Sequence, residues 1–381
     1  MDFYGCKNRV LLTLSILLVL AGAGLAFLSH APNRLISGQG IMLISLITGP
    51  VLWLLAPILG LIIFAFLTPS IALYWLIILF AELLLAGATA TQLAGGEESL
   101  VRTSLGGGFW LMSGVSLLIA IDSLSRVIAH PVWRSLAIAL LMLPIIALLA
   151  SGQLDQLSLM KEYVNRRDVF DDALWRHIQI LLTTLVPAVV IGIPLGLLCF
   201  HSHRLQGAIF STLNIIQTIP SIALFGLLIA PLSGLAAAIP WLAELGIGGI
   251  GLAPAIIALV LYALLPLVRN VVAGLEAVPD SVVESAKGMG MTRQQLFFRV
   301  QMPIAMPLIL SGVRIIAVQT VGLAVVAALI GAGGLGAIVF QGLLSSALDL
   351  VLLGVIPVIA MAVIVDSLFK FIVIFMDISR R

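Results

Sequence analysis

Long apolar runs separated by short polar stretches dominate the chain of 381 residues. A bilayer core about 30 Å thick needs about 20 apolar residues of helix to cross it. Lipid offers backbone groups no water, so spanning segments are helices or closed barrels, and long unbroken runs favour helices. We therefore predict ten transmembrane helices, at residues 10–28, 41–67, 71–93, 109–128, 132–150, 178–200, 207–230, 248–270, 303–330 and 350–375.

The polar stretch 151–177 divides these helices into two sets of five. It holds nine of the 36 Asp, Glu, Lys and Arg residues of the chain. We predict an N-terminal block at 1–150, an extracytoplasmic connector at 151–177 and a second transmembrane domain at 178–375. Polar positions inside helices are concentrated in the second domain, and no convincing internal repeat relates the two halves.

Composition excludes a soluble globular protein. The chain is 61% hydrophobic and 9% charged, with a mean hydropathy of +1.23, whereas an ordinary soluble domain carries about 25% charged residues. The net charge of +2 predicts no nucleic-acid partner. Cys6 and Cys199 lie far apart in the sequence, so they predict neither a disulfide framework nor a thiolate metal site.

The distribution of basic residues predicts the orientation in the membrane. Lys7 and Arg9 precede the run 10–28 as in a secretion signal, but a cleaved signal has only about 7 to 15 apolar residues. We therefore predict a retained first helix. With residue 1 inside, 13 of the 19 Lys and Arg residues lie on the cytoplasmic side, where basic residues are retained. Both termini are expected to be cytoplasmic.

One predicted cytoplasmic loop, at 276–302, carries helix signals. Ser281 and Glu284 have the S-x-x-E spacing of a capping box, which predicts a short helix from about Val282. Gly288 and Gly290 are expected to end this helix. The sharp turn at Gly290 is expected to need a positive φ, which glycine adopts without a Cβ penalty.

A second short helix is predicted directly afterwards. Thr292 and Gln295 repeat the capping spacing as T-x-x-Q, and the helix is expected to reach Pro303. Its apolar face, at Leu296, Phe297 and Val300, is expected to contact a partner. The loop is thus predicted to be a stiff pair of short helices, either docked on a partner protein or forming a surface hairpin.

The loop resembles the EAA loop of ABC importer permeases. In that pattern E-A-A is followed by three residues, a glycine, nine residues and I-x-L-P. Here Glu284, Ser285 and Ala286 are followed by three residues, Gly290, nine residues and the sequence VQMP, which ends at Pro303. The resemblance implies that the two short helices sit in a groove on an ATPase, and that the glycine lets the turn pass close to its surface.

A narrower resemblance covers roughly residues 170–375. The segments 177–196, 217–228, 265–292 and 328–342 are similar to permeases of ABC importers for glycine betaine, choline and related quaternary amines. In length and arrangement, the first block resembles that of the longer permease of the Yeh-type (OsmU) pair. The resemblance implies an all-α polytopic protein of the bacterial inner membrane, with a five-helix type I importer core of MetI-like fold.

The same resemblance implies several partners. They are ABC ATPase subunits that bind ATP and magnesium, an extracytoplasmic substrate-binding protein, and a second permease subunit that forms a heterodimer. No lysine follows a glycine in this sequence, so it has no Walker motif and we expect no cofactor in this chain. The glycine-rich stretch 331–336 follows a membrane helix rather than a strand, and predicts a tight turn rather than a phosphate site.

Six polar or helix-loosening residues inside helices mark either a translocation path or interhelical hydrogen bonds. Three of them share one helix face at positions i, i+3 and i+4, a proline follows, and two interrupt another helix. These candidates are Asn214, Gln217, Thr218, Pro220, Gln319 and Thr320. Because tyrosine and tryptophan are few, an aromatic cage for a quaternary amine is expected in the binding protein, and the path is expected to bind weakly.

Glu82 stands alone in the apolar run 71–93, where an ionised carboxylate is costly. It is either a proton or cation site or a carboxyl that is protonated or paired within the first block. The first interpretation gives an alternative function, a secondary transporter driven by an ion gradient. A second alternative keeps the ABC class with an amino acid such as methionine as cargo. No constellation of residues predicts an enzyme.

Two further groups of residues are predicted to be structural. Asp366 and Lys370, at i and i+4, predict an ion pair near a helix end. Cys199, His201 and His203 alternate at a helix end, which gives poor tetrahedral convergence, so we expect a solvated loop and no metal.

Overall fold

Helix is the main secondary structure, as expected where backbone groups are satisfied away from water. This computed structural model describes residues 9–33, 36, 38–46, 72–94, 100–128, 131–244 and 246–378. The chain divides into two compact units, Met1–Asn165 and Arg166–Arg381. Six of the described helices are long and apolar enough to cross a membrane, and three shorter apolar helices accompany them. The predicted fold class, a mostly helical membrane protein, is confirmed.

The first unit combines helices with a small antiparallel sheet. Strand β1 (Ala26–Ala31) is central, and β2 (Gln39–Met42) and β3 (Arg102–Leu105) pair with its two edges. The ring of Phe27 in β1 packs edge to face on Phe109 in the buried core of the unit, with 5.7 Å between the ring centroids. The helices are α1 (Arg9–Gly24), α2 (Leu43–Leu46), α3 (Ala72–Ala94), α4 (Gly107–Val127), α5 (Pro131–Ala150) and α6 (Ser158–Asn165).

This small sheet is a feature of the first unit that we did not predict. We predicted a helix over 10–28, whereas α1 ends at Gly24 and β1 begins at Ala26. Strand pairing joins residues far apart in the sequence, so the apolar run alone did not reveal it. Of the predicted span 41–67, residues 43–46 form α2, and residues 47–67 lie outside the described residues. The other three spans of this block correspond to α3, α4 and α5.

The second unit is a helical bundle in which α11 is central. Its buried side chains pack against α7 on one side and α14 on another. The helices of this unit are α7 (Arg167–His201), α8 (His203–Thr218), α9 (Ser221–Ala238), α10 (Pro240–Glu244), α11 (Leu252–Glu276), α12 (Asp280–Gly288), α13 (Arg293–Leu296), α14 (Met302–Ala327), α15 (Leu335–Leu344) and α16 (Leu348–Ile378).

Small residues bring α7 and α11 close together. A Cβ atom added at Gly192 would lie 2.7 Å from Leu267 Cδ2, and one added at Gly196 would lie 2.6 Å from Val271 Cβ. The two glycines form a G-x-x-x-G pattern, which allows close backbone approach where lipid provides no hydrophobic drive for helix association. The contact between these two helices therefore depends on the absence of side chains.

Four of the five spans predicted in the second domain correspond to α7, α11, α14 and α16, although α11 begins four residues later than predicted and α14 ends three residues earlier. The fifth, at 207–230, is wrong as a single helix, because the chain is extended at Ile219 and Pro220 and forms two helices, α8 and α9. Proline restricts the preceding residue to extended conformations, which explains the break. The helix α7 begins at Arg167, so the last part of the predicted connector 151–177 is helical.

Candidate functional site

The first short helix of the predicted ATPase-contacting loop is α12, and it starts differently from our prediction. Its N-cap is Pro279, without a side-chain cap, and the carbonyl of Pro279 accepts the N–H groups of Val282 and Val283. The capping box of Ser281 and Glu284 is therefore wrong. Ser281 lies inside the first turn, where its carbonyl accepts the Ser285 hydroxyl at 2.7 Å.

The turn after α12 agrees with the prediction. The helix ends at Gly288, and Gly290 has a φ of +78°. The N–H of Gly290 donates to the Lys287 carbonyl, and that of Met291 to the Ala286 carbonyl, as in a Schellman motif. Glycine at position 290 follows from this left-handed conformation.

The second capping box is confirmed. The backbone N–H of Thr292 donates to Gln295 Oε1 at 2.9 Å, and the N–H of Gln295 donates to Thr292 Oγ1 at 3.3 Å. The helix does not stop at Pro303, however. A π-helical turn at 297–301 joins α13 to α14, so one helix continues from Arg293 to Ile330. The loop is thus joined to a membrane-spanning helix without a break.

The exposed apolar side chains of this loop differ from the predicted face. Leu296 is buried and Phe297 packs against the core of the bundle, so these residues do not offer a free surface. Instead, Met289 and Phe298 are 71% and 68% exposed on either side of Gly290. Our sequence analysis missed these two residues, because the helix phase alone did not show which side of the loop rests on the bundle.

A cavity of about 320 Å³ lies where α8 ends and α9 begins. It brings together four of the six candidate path residues, from the break between α8 and α9 and from α14. None of its eight described lining residues is charged. These residues are Gln217, Thr218, Ile219, Pro220, Ser221, Tyr262, Gln319 and Leu323.

Two candidate path residues lie outside the described lining of this cavity. Asn214 is exposed, and its Oδ1 accepts a hydrogen bond from the guanidinium of Arg269 at 2.8 Å. Thr320 is 2% exposed, and its hydroxyl donates to the Ile316 carbonyl of its own helix at 2.7 Å. Asn214 thus takes part in a hydrogen bond between helices, whereas the bond of Thr320 lies within its own helix.

Tyr262 is one of the four lining residues that the sequence analysis missed, with Ile219, Ser221 and Leu323. It lies in α11, and two hydrogen bonds connect it to the break between α8 and α9. Gln217 Nε2 donates to the Tyr262 carbonyl at 2.8 Å, and the Tyr262 hydroxyl donates to the Ile219 carbonyl. The available signal was a tyrosine in an apolar helix, four residues before Pro266.

The glycine-rich stretch 331–336 forms a turn, as predicted. Gly331, Gly333 and Gly334 all have positive φ values, between 76° and 81°. The N–H of Ala332 donates to the Ala327 carbonyl at the end of α14, and the Ala332 carbonyl accepts Arg176 Nε at 3.2 Å. A side chain of α7 thus holds the turn in place.

Glu82 is buried in the first unit, with 6% of its surface exposed. Its Oε2 accepts the Ser113 hydroxyl of α4 at 3.0 Å, so Glu82 is hydrogen-bonded within the first block. The predicted pair of Asp366 with Lys370 also forms, at 2.6 Å, and Arg314 of α14 joins it.

The histidine pair lies at a helix junction rather than in a loop. Ser202 alone separates α7 from α8, with His201 ending one helix and His203 starting the next. Each imidazole contacts its own helix: His201 Nδ1 lies 2.8 Å from the Leu197 carbonyl, and His203 Nδ1 lies 3.1 Å from Gln206 Oε1. Among the described residues, no group of three or more His, Cys, Asp or Glu side chains is arranged to hold a metal ion.

Known proteins match both parts of the chain. Residues 188–377 match the family "Binding-protein-dependent transport system inner membrane component", and residues 7–160 match "ABC transporter permease YehY, N-terminal domain".

The carnitine transport permease protein OpuCB of Listeria monocytogenes is 38% identical over 192 residues, which are 50% of this chain and 81% of the relative. The osmoprotectant import permease protein OsmW of Salmonella typhimurium is 36% identical over 195 residues, 51% of this chain and 85% of the relative. A chain of the MetNI methionine ABC transporter, solved in inward facing conformations, is 23% identical with a TM-score of 0.48, over 56% of this chain and 98% of that chain.

The chain therefore belongs to the inner-membrane components of binding-protein-dependent transport systems, the permeases of ABC importers. It is a transport subunit that crosses the inner membrane several times, rather than an enzyme. The family acts with an ATPase and a substrate-binding protein. The predicted resemblance of the first block to the Yeh-type permease is also confirmed.

Proposed function

We propose that this permease carries a quaternary-amine osmoprotectant, such as glycine betaine or choline, across the inner membrane. An extracytoplasmic binding protein delivers the cargo, and separate ATPase subunits bind ATP and magnesium. A second, different permease subunit completes a heterodimer. The main support for this cargo is the identity of 36% to 38% to permeases named for osmoprotectants and carnitine.

The chemistry of the cavity is compatible with such a cargo. A quaternary ammonium group carries a positive charge but cannot donate a hydrogen bond. A buried carboxylate in the path would hold this cation too tightly for release, whereas the described lining includes no charged residue. Its amides, hydroxyls and carbonyls suit a weakly binding route.

The loop at 276–302 supports a mechanism for coupling. Met289 and Phe298 offer exposed apolar side chains to an ATPase surface, and the continuous helix from Arg293 to Ile330 includes two of the lining residues, Gln319 and Leu323. Closure of the ATPase dimer would move the loop and, through this helix, the lining of the cavity. The core would then alternate between inward-facing and outward-facing states by a population shift.

Reconstitution tests this function. Proteoliposomes that contain the permease pair and the ATPase are expected to accumulate radiolabelled glycine betaine or choline only when both ATP and the binding protein are supplied. Proteoliposomes with the permease alone are the control. Uptake by the permease alone, driven by a proton or sodium gradient, would instead support a secondary transporter, and uptake of methionine but no quaternary amine would support an amino-acid permease.

The proposed orientation predicts which side of the membrane each segment faces. In a chain with Cys6 and Cys199 replaced, Ser281→Cys is expected to resist a membrane-impermeant maleimide in intact spheroplasts, and Asp172→Cys is expected to react. Both positions are exposed in the structure, so burial within the protein does not explain a difference. Labelling of position 281 but not of position 172 would invert the orientation.

A further inference from the structure

Two backbone carbonyls beside the cavity are released from helical hydrogen bonding by prolines. In an α-helix the carbonyl of residue 262 accepts the N–H of residue 266. Residue 266 is a proline inside α11, and it has no N–H to donate. The Tyr262 carbonyl is therefore left open within its own helix, and Gln217 Nε2 of α8 donates to it at 2.8 Å.

The second carbonyl belongs to Ile219. Pro220 keeps Ile219 extended, with φ −72° and ψ 127°, so this carbonyl lies between α8 and α9 instead of inside a helix. Its hydrogen bond comes from the Tyr262 hydroxyl. The segment at the break between α8 and α9 and the helix α11 thus exchange one hydrogen bond in each direction: Gln217 donates to the Tyr262 carbonyl, and the Tyr262 hydroxyl donates to the Ile219 carbonyl.

We propose that the Ile219 and Tyr262 carbonyls, with the ring of Tyr262, form a binding subsite for a quaternary ammonium group. This inference rests on the proposed function and assigns the cargo's cation to a place in the cavity. A carbonyl oxygen has two acceptor lone pairs. The hydrogen bonds from Gln217 and Tyr262 use one on each oxygen, which leaves partial negative charge for a cation without N–H groups.

The subsite also explains how a cation is attracted without being trapped. The face of an aromatic ring attracts a cation when the cation lies within about 6 Å of the ring centroid. Two carbonyl dipoles and one ring attract a cation less strongly than a carboxylate does. The described lining residues include no carboxylate. The reciprocal hydrogen bonds hold both carbonyls in place, so the cation needs to reorder little of the site on binding.

The test measures binding of tetramethylammonium to the assembled importer in nanodiscs without binding protein, by saturation-transfer NMR titration. Pro266→Ala restores an N–H that draws the Tyr262 carbonyl back into its helix, and the affinity is expected to fall about tenfold. Tyr262→Phe keeps the ring but removes the donor to Ile219, and a several-fold loss is expected. Tyr262→Leu also removes the ring and is expected to lose about tenfold or more.

Pro231→Ala is the matched control. Pro231 lies inside α9, is exposed, and is not among the described lining residues, so this variant is expected to bind like the wild type. Choline is expected to compete with the tetramethylammonium probe. Its uncharged isostere 3,3-dimethylbutan-1-ol is not expected to compete. Size-exclusion profiles verify that each variant is assembled.

Equal probe affinity in Pro266→Ala and Pro231→Ala, or competition by the uncharged isostere, would overturn the subsite. Wild-type uptake of quaternary amines would then still support the importer function. Absence of that uptake by the wild-type importer, measured after reconstitution in proteoliposomes, would instead refute the proposed function. The two failures therefore give different results.

Discussion

Replacing Gly196 by leucine is expected to prevent the second unit from reaching its folded state. A Cβ atom at this position would lie 2.6 Å from Val271 Cβ, a separation that folded proteins do not tolerate, so α7 and α11 would have to move apart. Overpacking in a filled core costs roughly 1–3 kcal/mol and occasionally more. Here the displaced helix, α11, is the most buried of the spanning helices, so we expect little folded permease after purification.

The matched control is Gly226→Leu. Gly226 also lies inside a helix, α9, but a Cβ atom there would meet nothing within 4 Å. Leucine has a better helix propensity than glycine by up to about 1 kcal/mol, so the control is expected to be as stable as the wild type or more stable. Thermal unfolding of the purified permease, followed by fluorescence size exclusion, measures both. Similar stability for the two variants would show that the helices do not depend on this contact.

Gly290→Asp is expected to uncouple ATP hydrolysis from transport in an importer that still assembles. The left-handed conformation at φ +78° costs a residue with a Cβ roughly 1–2 kcal/mol. A carboxylate would also be desolvated where the loop meets the ATPase. No atom lies within 4 Å of the added Cβ in the permease itself, so the folded unit is not expected to suffer. Uptake in proteoliposomes is expected to fall at least tenfold.

Gly288→Asp separates the effect of the turn from that of charge. Gly288 is also exposed and has open space around it, but it is the last residue of α12 and has no positive φ. This variant is expected to retain most of the uptake. Uptake and binding-protein-stimulated ATP hydrolysis are measured side by side. Normal values for both in Gly290→Asp would mean that this loop is not the coupling element.

In the loop at 276–302, features that depend only on residues close in the sequence were predictable. The box at Thr292 and Gln295 and the turn at Gly290 each involve residues within about one helical turn, and both have the expected hydrogen bonds or dihedral angle. The box at Ser281 failed because the helix starts two residues earlier, with Pro279 as its N-cap. The buried side of the loop was not predictable, because it depends on contacts with the bundle.

The same distinction applies to the two units. The sequence by itself determined the position of most spanning helices, the polar loop and the family, because apolar length, capping residues and motif spacing are all local properties. Only the tertiary structure decided that the run after α1 joins a sheet, that Tyr262 lines the cavity and that Thr320 turns into the core. In a membrane helix the residues that face lipid and those that face protein are both apolar, so the sequence shows little of the periodicity that would assign a side chain to one face.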